Sequence, residues 1–294
     1  MRKLAESIRS IGLVANAEKP SSRRLVRKAA ALLRAAGREV LTDTSTARMA
    51  GMPGTAFRDA AALTRQVDLL MVFGGDGTLL RVAREAAGTR TPIVGINAGS
   101  LGFLTDVQAH QLPLAIRQIL AGETVLESRP LIEARGRTGG AAIAETALND
   151  FVISRGAAPR LIELAVSVDG DALTRYCCDG LIVCTPTGST AYSLSAGGAV
   201  VSPKARVLTL TPICPHTLSN RSVIVSLESV VRVQVLSERA ETVLTADGQK
   251  TIPLATGDVV TIRRSRQSVR LLHLAGSSFF ETLRQKLNWR GSNV

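Results

Sequence analysis

Cysteines, aromatic residues and long hydrophobic runs are all scarce in this sequence. Its 294 residues include four cysteines, and no two of them have the C-x-x-C spacing of a redox or metal motif. We interpret the cysteines as free, buried thiols in a reducing cytoplasm. No apolar run approaches the roughly 18 residues that cross a bilayer, and Glu6 and Arg9 interrupt the segment that a secretory signal keeps apolar. We therefore expect a cytoplasmic protein with no membrane partner.

Basic residues are in excess, but mainly at the two ends of the chain. The 36 Lys and Arg against 24 Asp and Glu give a net charge of +12. Residues 1–40 contain ten basic and three acidic side chains, and residues 262–294 contain seven and one. We interpret these ends as solvated helix faces, and attraction to anionic metabolites such as nucleotides fits the charge equally well. One Trp, two Tyr and six Phe are too few for base-stacking platforms, so no nucleic-acid partner is expected.

The first 125 residues alternate short apolar runs with helical spacing. We predict strands at residues 11–15, 68–73 and 93–96, and helices at residues 21–36, 79–87 and 112–120. Strands that alternate with helices in this way form parallel sheets with crossover helices. The pattern predicts a Rossmann-like α/β domain over residues 1–128.

The periodicity changes near residue 129 to short, alternating, β-branched segments. These predicted strands lie at residues 147–154, 161–168, 181–184, 207–210, 223–225, 230–236, 243–245 and 259–263. Turn pairs such as Asp169-Gly170 and Asp247-Gly248 separate them. The pattern predicts a β-sandwich domain over residues 129–275. Residues 277–289 have helical spacing, and we expect segment 276–294 to pack on the first domain.

A glycine-rich turn follows the predicted strand at 68–73. Gly74, Gly75, Gly77 and Thr78 are suited to bind phosphate, because glycine lets the backbone approach closely and a helix start favours negative charge. Asp76 would repel phosphate, so it is expected to face a hydroxyl or a metal. A hydroxyl held beside a bound phosphate is what a phosphotransferase needs. The alternative is a purely structural turn with a local side-chain hydrogen bond.

Residues 179–198 form a second informative segment. A predicted buried strand runs into a turn dense with Thr, Ser and Gly, and then into small residues with helical spacing. Hydroxyls and free amides at a helix start suit a polar ligand such as a nucleoside. Tyr192 has two interpretations, stacking on a base or simple packing. The P-loop motif and the G-x-G-x-x-G motif are both absent.

Taken together, these motifs resemble the NAD kinase family over about residues 11–289. Six segments occur in that family's order, at residues 74–78, 97–104, 148–150, 179–198, 215–219 and 247–249. The run at 185–198 is specific to the family, whereas similar glycine turns also occur in lipid kinases and phosphofructokinases. The resemblance implies an α/β domain joined to a β-sandwich. It also implies transfer of the γ-phosphoryl of ATP, or of inorganic polyphosphate in some members, to the adenosine 2′-hydroxyl of NAD.

The resemblance also implies roles for individual residues. Asp76 is expected to be the proton acceptor at the hydroxyl, with Gly77 beside it, and Arg81 and Arg160 are expected to contact the ligand. The other residues implied to line the NAD pocket are Asn149, Asp150, Asp179, Thr190, Ala191, Tyr192, Ser193, Leu194, Ser195 and Gln249. A divalent metal, Mg²⁺ or Mn²⁺, is expected to be held by phosphates and waters, with or without one carboxylate. A homo-oligomer, a dimer or a tetramer, is implied as well.

Residues 176–178 depart from the family pattern, and a lipid kinase and a dinucleotide-sensing module are the alternative functions. Several members of the family carry a basic residue just before the position of Asp179, where this chain has Tyr176-Cys177-Cys178. This difference leaves the preference between NAD and NADH open. A lipid kinase would need an apolar acceptor groove in place of the polar residues at 185–198. A dinucleotide-sensing module would have no use for the carboxylate of Asp76. His110 and His273 are interpreted as surface or packing residues, and His216 as ordering its loop.

Overall fold

The chain divides into two compact units. A computed structural model describes residues 7–52, 54, 56–99, 101–105, 107–216, 221–238 and 240–289. One unit comprises Met1–Ser128 with Val269–Val294, and the other comprises Arg129–Ser268. Among the described helices, none has the length and apolar character required to cross a membrane.

The first unit is built on a parallel sheet with helices. Its strands are β1 (Ser10–Ala15), β2 (Glu39–Asp43), β3 (Ala56–Phe57), β4 (Leu69–Gly74), β5 (Ile93–Asn97) and β6 (Val107–Gln108). Its helices are α1 (Pro20–Ala35), α2 (Thr44–Ala50), α3 (Ala60–Thr64), α4 (Asp76–Glu85) and α5 (Leu112–Ala121). The parallel order is β3-β2-β1-β4-β5, and β6 also pairs with β5. Because these strands run in the same direction, the loops that follow β1, β4 and β5 lie along one edge.

Burial explains why these segments adopt their conformations. Every residue of β4 and β5 is buried, as expected for parallel strands covered on both faces. Helix α1 starts with Pro20, whose fixed φ suits the first helical position, and it buries one face of aliphatic residues. Gly95 on β5 allows Leu79 of α4 to pack closely, because a Cβ there would lie 2.7 Å from Leu79 Cδ1.

The second unit is a β-sandwich. Its strands are β7 (Thr124–Thr138), β8 (Ala141–Ala147), β9 (Asp150–Arg155), β10 (Ile162–Val168), β11 (Asp171–Cys178), β12 (Gly180–Cys184), β13 (Val207–Ile213), β14 (Val223–Ser226), β15 (Val231–Val235), β16 (Thr242–Ala246), β17 (Lys250–Leu254) and β18 (Val259–Leu274). One sheet has the order β14-β13-β12-β9-β16-β17, and β11, β10, β15 and β18 are neighbours in the other. Side chains from both sheets form one buried core. Strands β7 and β18 each have one end in the first unit.

Two further helices complete the fold. Helix α6 (Tyr192–Ser195) lies in the second unit, after a 3₁₀ turn at Gly188–Thr190. Helix α7 (Phe279–Leu287) follows β18 and belongs to the first unit. The predicted fold class, an α/β domain and a β-sandwich with a C-terminal helix, is confirmed.

Three local predictions were wrong. The helix predicted at 79–87 begins at Asp76, because the first turn accepts glycine and favours an acidic residue. The strand predicted at 147–154 is interrupted, since β8 ends at Ala147 and β9 begins at Asp150. Cys178 and Cys184 are buried, but Cys177 and Cys214 are exposed. Burial raises the pKa of the Cys178 thiol to about 12 and that of Cys184 to about 11.

Substitution of Gly95 by Ala is expected to destabilise the first unit. The new Cβ would lie 2.7 Å from Leu79 Cδ1 and 2.9 Å from the Leu104 carbonyl oxygen. Overpacking of this kind costs about 1–3 kcal/mol in free energy of unfolding, measurable by urea denaturation. Gly77→Ala is the matched control, because its Cβ would meet no atom within 4 Å. Equal stability of the Gly95→Ala and wild-type proteins would contradict the close packing.

Candidate functional site

The glycine-rich segment forms a very short connection between β4 and α4. Gly74 is the last residue of β4, and Gly75 is the N-cap residue of α4. The amides of Thr78 and Leu79 donate to the Gly75 carbonyl oxygen, at 3.0 and 3.2 Å. A Cβ at Gly74 would lie 2.5 Å from Thr78 Oγ1, so the turn closes only with glycine there. Asp76 and Gly77 therefore stand in the first turn of the helix.

The carboxylate of Asp76 is held by the loop that follows β5. Its Oδ1 accepts hydrogen bonds from the amides of Leu104 and Thr105, at 3.1 and 3.0 Å, and from Thr105 Oγ1, at 2.9 Å. Its Oδ2 accepts one from the amide of Phe103, at 2.8 Å. A carboxylate offers about four acceptor positions, two on each oxygen. Oδ1 is therefore saturated, whereas Oδ2 retains the capacity to accept one more donor.

Asn97 and Gly102 make this arrangement possible. Asn97 is buried at the end of β5, where its Nδ2 donates to Thr105 Oγ1 at 2.9 Å and its Oδ1 accepts from the Gly99 amide at 2.6 Å. A Cβ at Gly102 would overlap Asp76 Oδ1. The segment at 97–104 was recognised as a motif from the sequence, and these contacts show what its Asn and second Gly do.

Lys19 is a candidate that the sequence analysis missed. It lies in the loop after β1, and its Nζ lies 3.8 Å from where a Cβ of Gly75 would stand and 3.5 Å from that of Gly99. Within the described ranges no carboxylate forms an ion pair with it. The adjacency of β1, β4 and β5 places the three loops together, so only the strand order reveals this lysine.

Arg81 lies one turn after Gly77 on the same helix. Its Nη1 forms an ion pair with Glu85 Oε1 at 2.8 Å, four residues later. Both side chains are partly exposed. Ion pairs at the surface contribute little to stability, so we expect a small contribution from this one. A contact between Arg81 and a ligand stays a prediction.

In the second unit, Asp247 organises the turn that precedes β9. Its carboxylate accepts hydrogen bonds from the amides of Leu148, Asn149 and Asp150, at 3.0, 2.8 and 3.2 Å. Asp247 itself adopts a left-handed backbone conformation with φ of 50°, which Asp tolerates better than most residues. The structure thus joins the motifs at 148–150 and 247–249.

The same turn also contacts the Thr- and Ser-rich segment. The Thr185 amide donates to the Asn149 carbonyl oxygen at 2.9 Å, and Thr185 Oγ1 donates to the Leu148 carbonyl oxygen at 2.6 Å. A Cβ at Gly188 would overlap the Asn149 carbonyl oxygen, so the close approach requires glycine. Three predicted motifs therefore meet around Asn149.

Asn149 and Asp150 are both buried and chemically unusual. Asn149 is 8% exposed, and its Oδ1 is a buried acceptor with no hydrogen-bond partner among the described residues. Such groups normally find a partner, so this oxygen has the capacity to accept a hydrogen bond from a ligand or a water molecule. Asp150 is 4% exposed. Burial, and secondly the charge of Asp247, raise the pKa of Asp150 to about 7.

Asp179 is paired with a cation that the sequence analysis did not assign. Arg155 Nε donates to Asp179 Oδ1 at 2.7 Å, and the Arg155 amide donates to the Asp179 carbonyl oxygen at 3.0 Å. The antiparallel register of β9 and β12, which pairs Ser154 with Gly180, brings the two together. Arg160, the cation assigned from the sequence, is exposed in the loop between β9 and β10.

The predicted residues at 190–195 differ in what they present. Tyr192 is 48% exposed, so its ring is accessible to a ligand. Ser193 is buried, and its Oγ lies 2.9 Å from Thr211 Oγ1, which makes it part of the support. Thr190, Ala191 and Leu194 are half-buried, and Ser195 is exposed. Gln249 is exposed in the β16–β17 turn, two residues after Asp247.

His273 and His216 make contacts outside the two turns described above. His273 Nε2 lies 3.4 Å from Glu127 Oε2, and the His216 amide donates to the Cys177 carbonyl oxygen at 2.9 Å. The motif residues 217–219 lie outside the described residues. In the part of the chain that the structure describes, no three His, Cys, Asp or Glu side chains are grouped to hold a metal ion.

Comparison with known proteins gives a consistent family. Residues 11–124 match the family model of the ATP-NAD kinase N-terminal domain, and residues 148–274 match that of the ATP-NAD kinase C-terminal domain. The NAD kinase of Syntrophotalea carbinolica is 43% identical over 96% of this chain and 99% of its own length. The NAD kinase of Moorella thermoacetica is also 43% identical, over 96% of this chain and 90% of its own.

Two solved structures resemble the whole chain. Yeast NADH kinase in complex with NADH has a TM-score of 0.87 at 26% identity, covering 98% of this chain and 89% of that one. An NAD kinase from Archaeoglobus fulgidus in complex with ATP has a TM-score of 0.76 at 26% identity. The match covers 96% of this chain and 100% of that one.

The raised pKa of Asp150 predicts a pH-dependent effect of Asp150→Asn on stability. The folded state holds this proton up to about pH 7, whereas an unfolded Asp loses it near pH 4. The wild-type protein therefore loses stability between about pH 4 and 7, and the variant lacks this loss. The melting temperature of the variant minus that of the wild type should therefore rise as the pH rises from about 4 to 7. Above about pH 7 this difference should stay constant.

The measurement is a series of thermal melts from pH 4.5 to 8 without nucleotide. Asp171→Asn, at an exposed position on β11, is the control and should keep a constant offset from wild type. A pH-independent offset for Asp150→Asn would show that Asp150 has an ordinary pKa.

Proposed function

The chain belongs to the NAD kinase family and phosphorylates NAD to NADP, and we propose that Asp76 is the residue at which the accepting hydroxyl is bound. The proposal is carried by the hydrogen bonds to Asp76, which saturate Oδ1 and leave capacity on Oδ2. Oδ2 accepts the adenosine 2′-hydroxyl and fixes the direction of its oxygen lone pair. Orientation matters because positioning and electrostatics supply most of the catalysis in phosphoryl transfer.

We propose that the γ-phosphoryl group is transferred at this residue in a single displacement. The 2′-oxygen of NAD bonds to the γ-phosphorus of ATP, and the bond from that phosphorus to the bridging oxygen breaks. ADP leaves, and the hydroxyl proton passes to the carboxylate of Asp76. The carboxylate then returns the proton to solvent. NADP and ADP are the products.

We propose that the phosphates of ATP bind at the start of α4. Gly75 has no capping side chain, and the first amides of a helix favour anions. Gly74, Gly75, Gly77 and Thr78 supply the close backbone approach, and Lys19 supplies a positive charge beside it. A divalent metal, Mg²⁺ or Mn²⁺, enters with ATP as part of the substrate, held by phosphates and waters.

The NAD pocket is assigned to the turn around Asn149. The open Oδ1 of Asn149 is an acceptor for an amino group of the base, and Asp150 and Asp179 are acceptors for ribose hydroxyls. Tyr192 offers its exposed ring for stacking. The other contacts with NAD are assigned to Gly77, Arg81, Arg160, residues 190–195 and Gln249.

We also propose that the protein acts in the cytoplasm as a homo-oligomer, a dimer or a tetramer. Its domains are assigned to residues 1–128, 129–275 and 276–294.

The test of this function is NADP formation from NAD, ATP and Mg²⁺, measured with an NADP-specific dehydrogenase. Asp76→Asn should lower kcat at least about 10²- to 10⁴-fold, the usual value of general-base assistance. The loss includes orientation, because an amide NH₂ cannot accept from the amides that Asp76 binds. Glu39→Gln, at an exposed position at the start of β2, is the control and should match wild type.

Each result of this assay has a clear consequence. Asp76→Asn activity within a few-fold of wild type would refute the role of Asp76. A wild-type protein that makes no NADP from NAD, and no NADPH from NADH, with either ATP or polyphosphate would refute the function itself.

Lys19→Gln should raise the KM for ATP about 10- to 100-fold while the KM for NAD changes little. Loss of one charge-assisted hydrogen bond to phosphate has an effect of this size. Lys19→Arg keeps the charge and should recover most of the affinity. Lys28→Gln, at an exposed position on α1, serves as the matched control in the same steady-state assay. An unchanged KM for ATP in Lys19→Gln would remove Lys19 from the site.

A further inference from the structure

The C-terminal helix α7 contributes little to the buried core of its unit. Of its nine residues, Leu283 is the buried one, and most of the others are exposed. Amphipathic helices normally bury a whole apolar face. Burial of apolar side chains therefore holds α7 in place only weakly. Its contacts with Phe103 are a second interaction that fixes its position.

Two side chains of α7 hold the ring of Phe103. The ring centroids of Phe279 and Phe103 lie 6.4 Å apart, with an angle of 39° between the planes. Lys286 Nζ lies 5.0 Å from the centroid of the Phe103 ring, a cation–π distance. Phe279 and Lys286 are seven residues apart, about two helical turns, so they lie on the same face of α7.

Phe103 is also the first of the three consecutive residues whose amides bind Asp76. Its amide donates to Asp76 Oδ2 at 2.8 Å, and the next two amides donate to Oδ1. One residue thus has its ring fixed by α7 and its backbone fixed by the carboxylate. Gly102, which precedes it, has no room for a side chain beside Asp76, and glycine itself restricts the backbone little, so contacts from outside the loop are needed to fix its path.

We propose that Phe279 and Lys286 are positioning residues that act through Phe103 on the carboxylate of Asp76. Helix α7 fixes the Phe103 ring, the ring fixes the amides of residues 103–105, and these amides fix the direction of Oδ2. The effect on catalysis rests on the proposed role of Asp76, whereas the effect on the loop does not. Misplacement of a reacting group by about 1 Å can cost about 100-fold in rate, so a partial release of the loop should be visible in kcat.

The central experiment compares Phe279→Ala with Phe280→Ala. Phe280 is on the same helix and 59% exposed, and its ring contacts Phe279. Among the described residues it makes no ring contact with Phe103. Phe279→Ala should lower kcat about 10-fold, with the KM for ATP and NAD within about twofold of wild type. Phe279→Tyr should recover most of this loss, and Phe280→Ala should resemble wild type.

Amide hydrogen exchange gives a readout that does not depend on activity. The amides of Phe103, Leu104 and Thr105 should exchange about 10-fold faster or more in Phe279→Ala, while amides of the buried strand β4 keep wild-type rates. Asp76→Asn is the positive control, because its NH₂ group replaces one of the two oxygens that accept from these amides. If Phe279→Ala does not fold, Lys286→Gln tests the exposed half of the contact, with Arg284→Gln as its control and Lys286→Arg as the conservative variant.

Distinct results separate this proposal from the proposed function. Unchanged exchange at 103–105 in both Phe279→Ala and Lys286→Gln would overturn it, as would an equal effect of Phe280→Ala. A wild-type protein without NADP formation would refute the function, yet faster exchange in Phe279→Ala would still support the link from α7 to the loop. Faster exchange with unchanged kcat would refute the catalytic part.

Discussion

The Asp76 carboxylate accepts hydrogen bonds from three backbone amides, and the site of the first unit depends on this interaction. A carboxylate placed in the first turn of a helix is favoured by the helix dipole, and here it also gathers the amides of a neighbouring loop. These bonds align one carboxylate oxygen and leave it able to bind another donor. The glycines at 74 and 102 and the side chain of Asn97 permit this arrangement, because a side chain at either glycine would overlap its neighbours and Asn97 binds Thr105.

The second unit uses the same physical device at Asp247. That carboxylate gathers the amides of residues 148–150, and its buried charge contributes to the raised pKa of Asp150. The two turns differ in one respect. Asp76 retains capacity for a ligand, whereas the open acceptor of the second turn belongs to Asn149. In each case a carboxylate shapes the backbone, and an oxygen remains available, on Asp76 itself in the first unit and on the adjacent Asn149 in the second.

The sequence was sufficient for the parts of the fold that local patterns determine. Apolar runs predicted β1, β4 and β5, and the Asp-Gly pairs predicted turns whose residues indeed adopt positive φ. Short or less periodic elements were missed, among them α2, α3 and β17. The start of α4 was misplaced because Gly75 and Gly77 resemble a loop, although one is an N-cap and the other lies in the first turn.

The site was predictable as a set of motifs but not as a set of contacts. Lys19 and Arg155 come to their positions through strand order and strand register, which depend on residues far away in sequence. The burial that raises the pKa of Asp150 is likewise a property of the folded core. Motif spacing identifies the residue types, and only tertiary structure identifies their partners.

The division of the first unit between the two ends of the chain has a consequence for biosynthesis. Translation proceeds from the N-terminus, and domains generally fold in that order. The ring of Phe103 meets its partner Phe279 only after more than half of the chain has been added between them. The loop that binds the Asp76 carboxylate is therefore fully supported only after Phe279 has been synthesised, so a chain terminated before that residue would contain the glycine-rich motif without this ring contact.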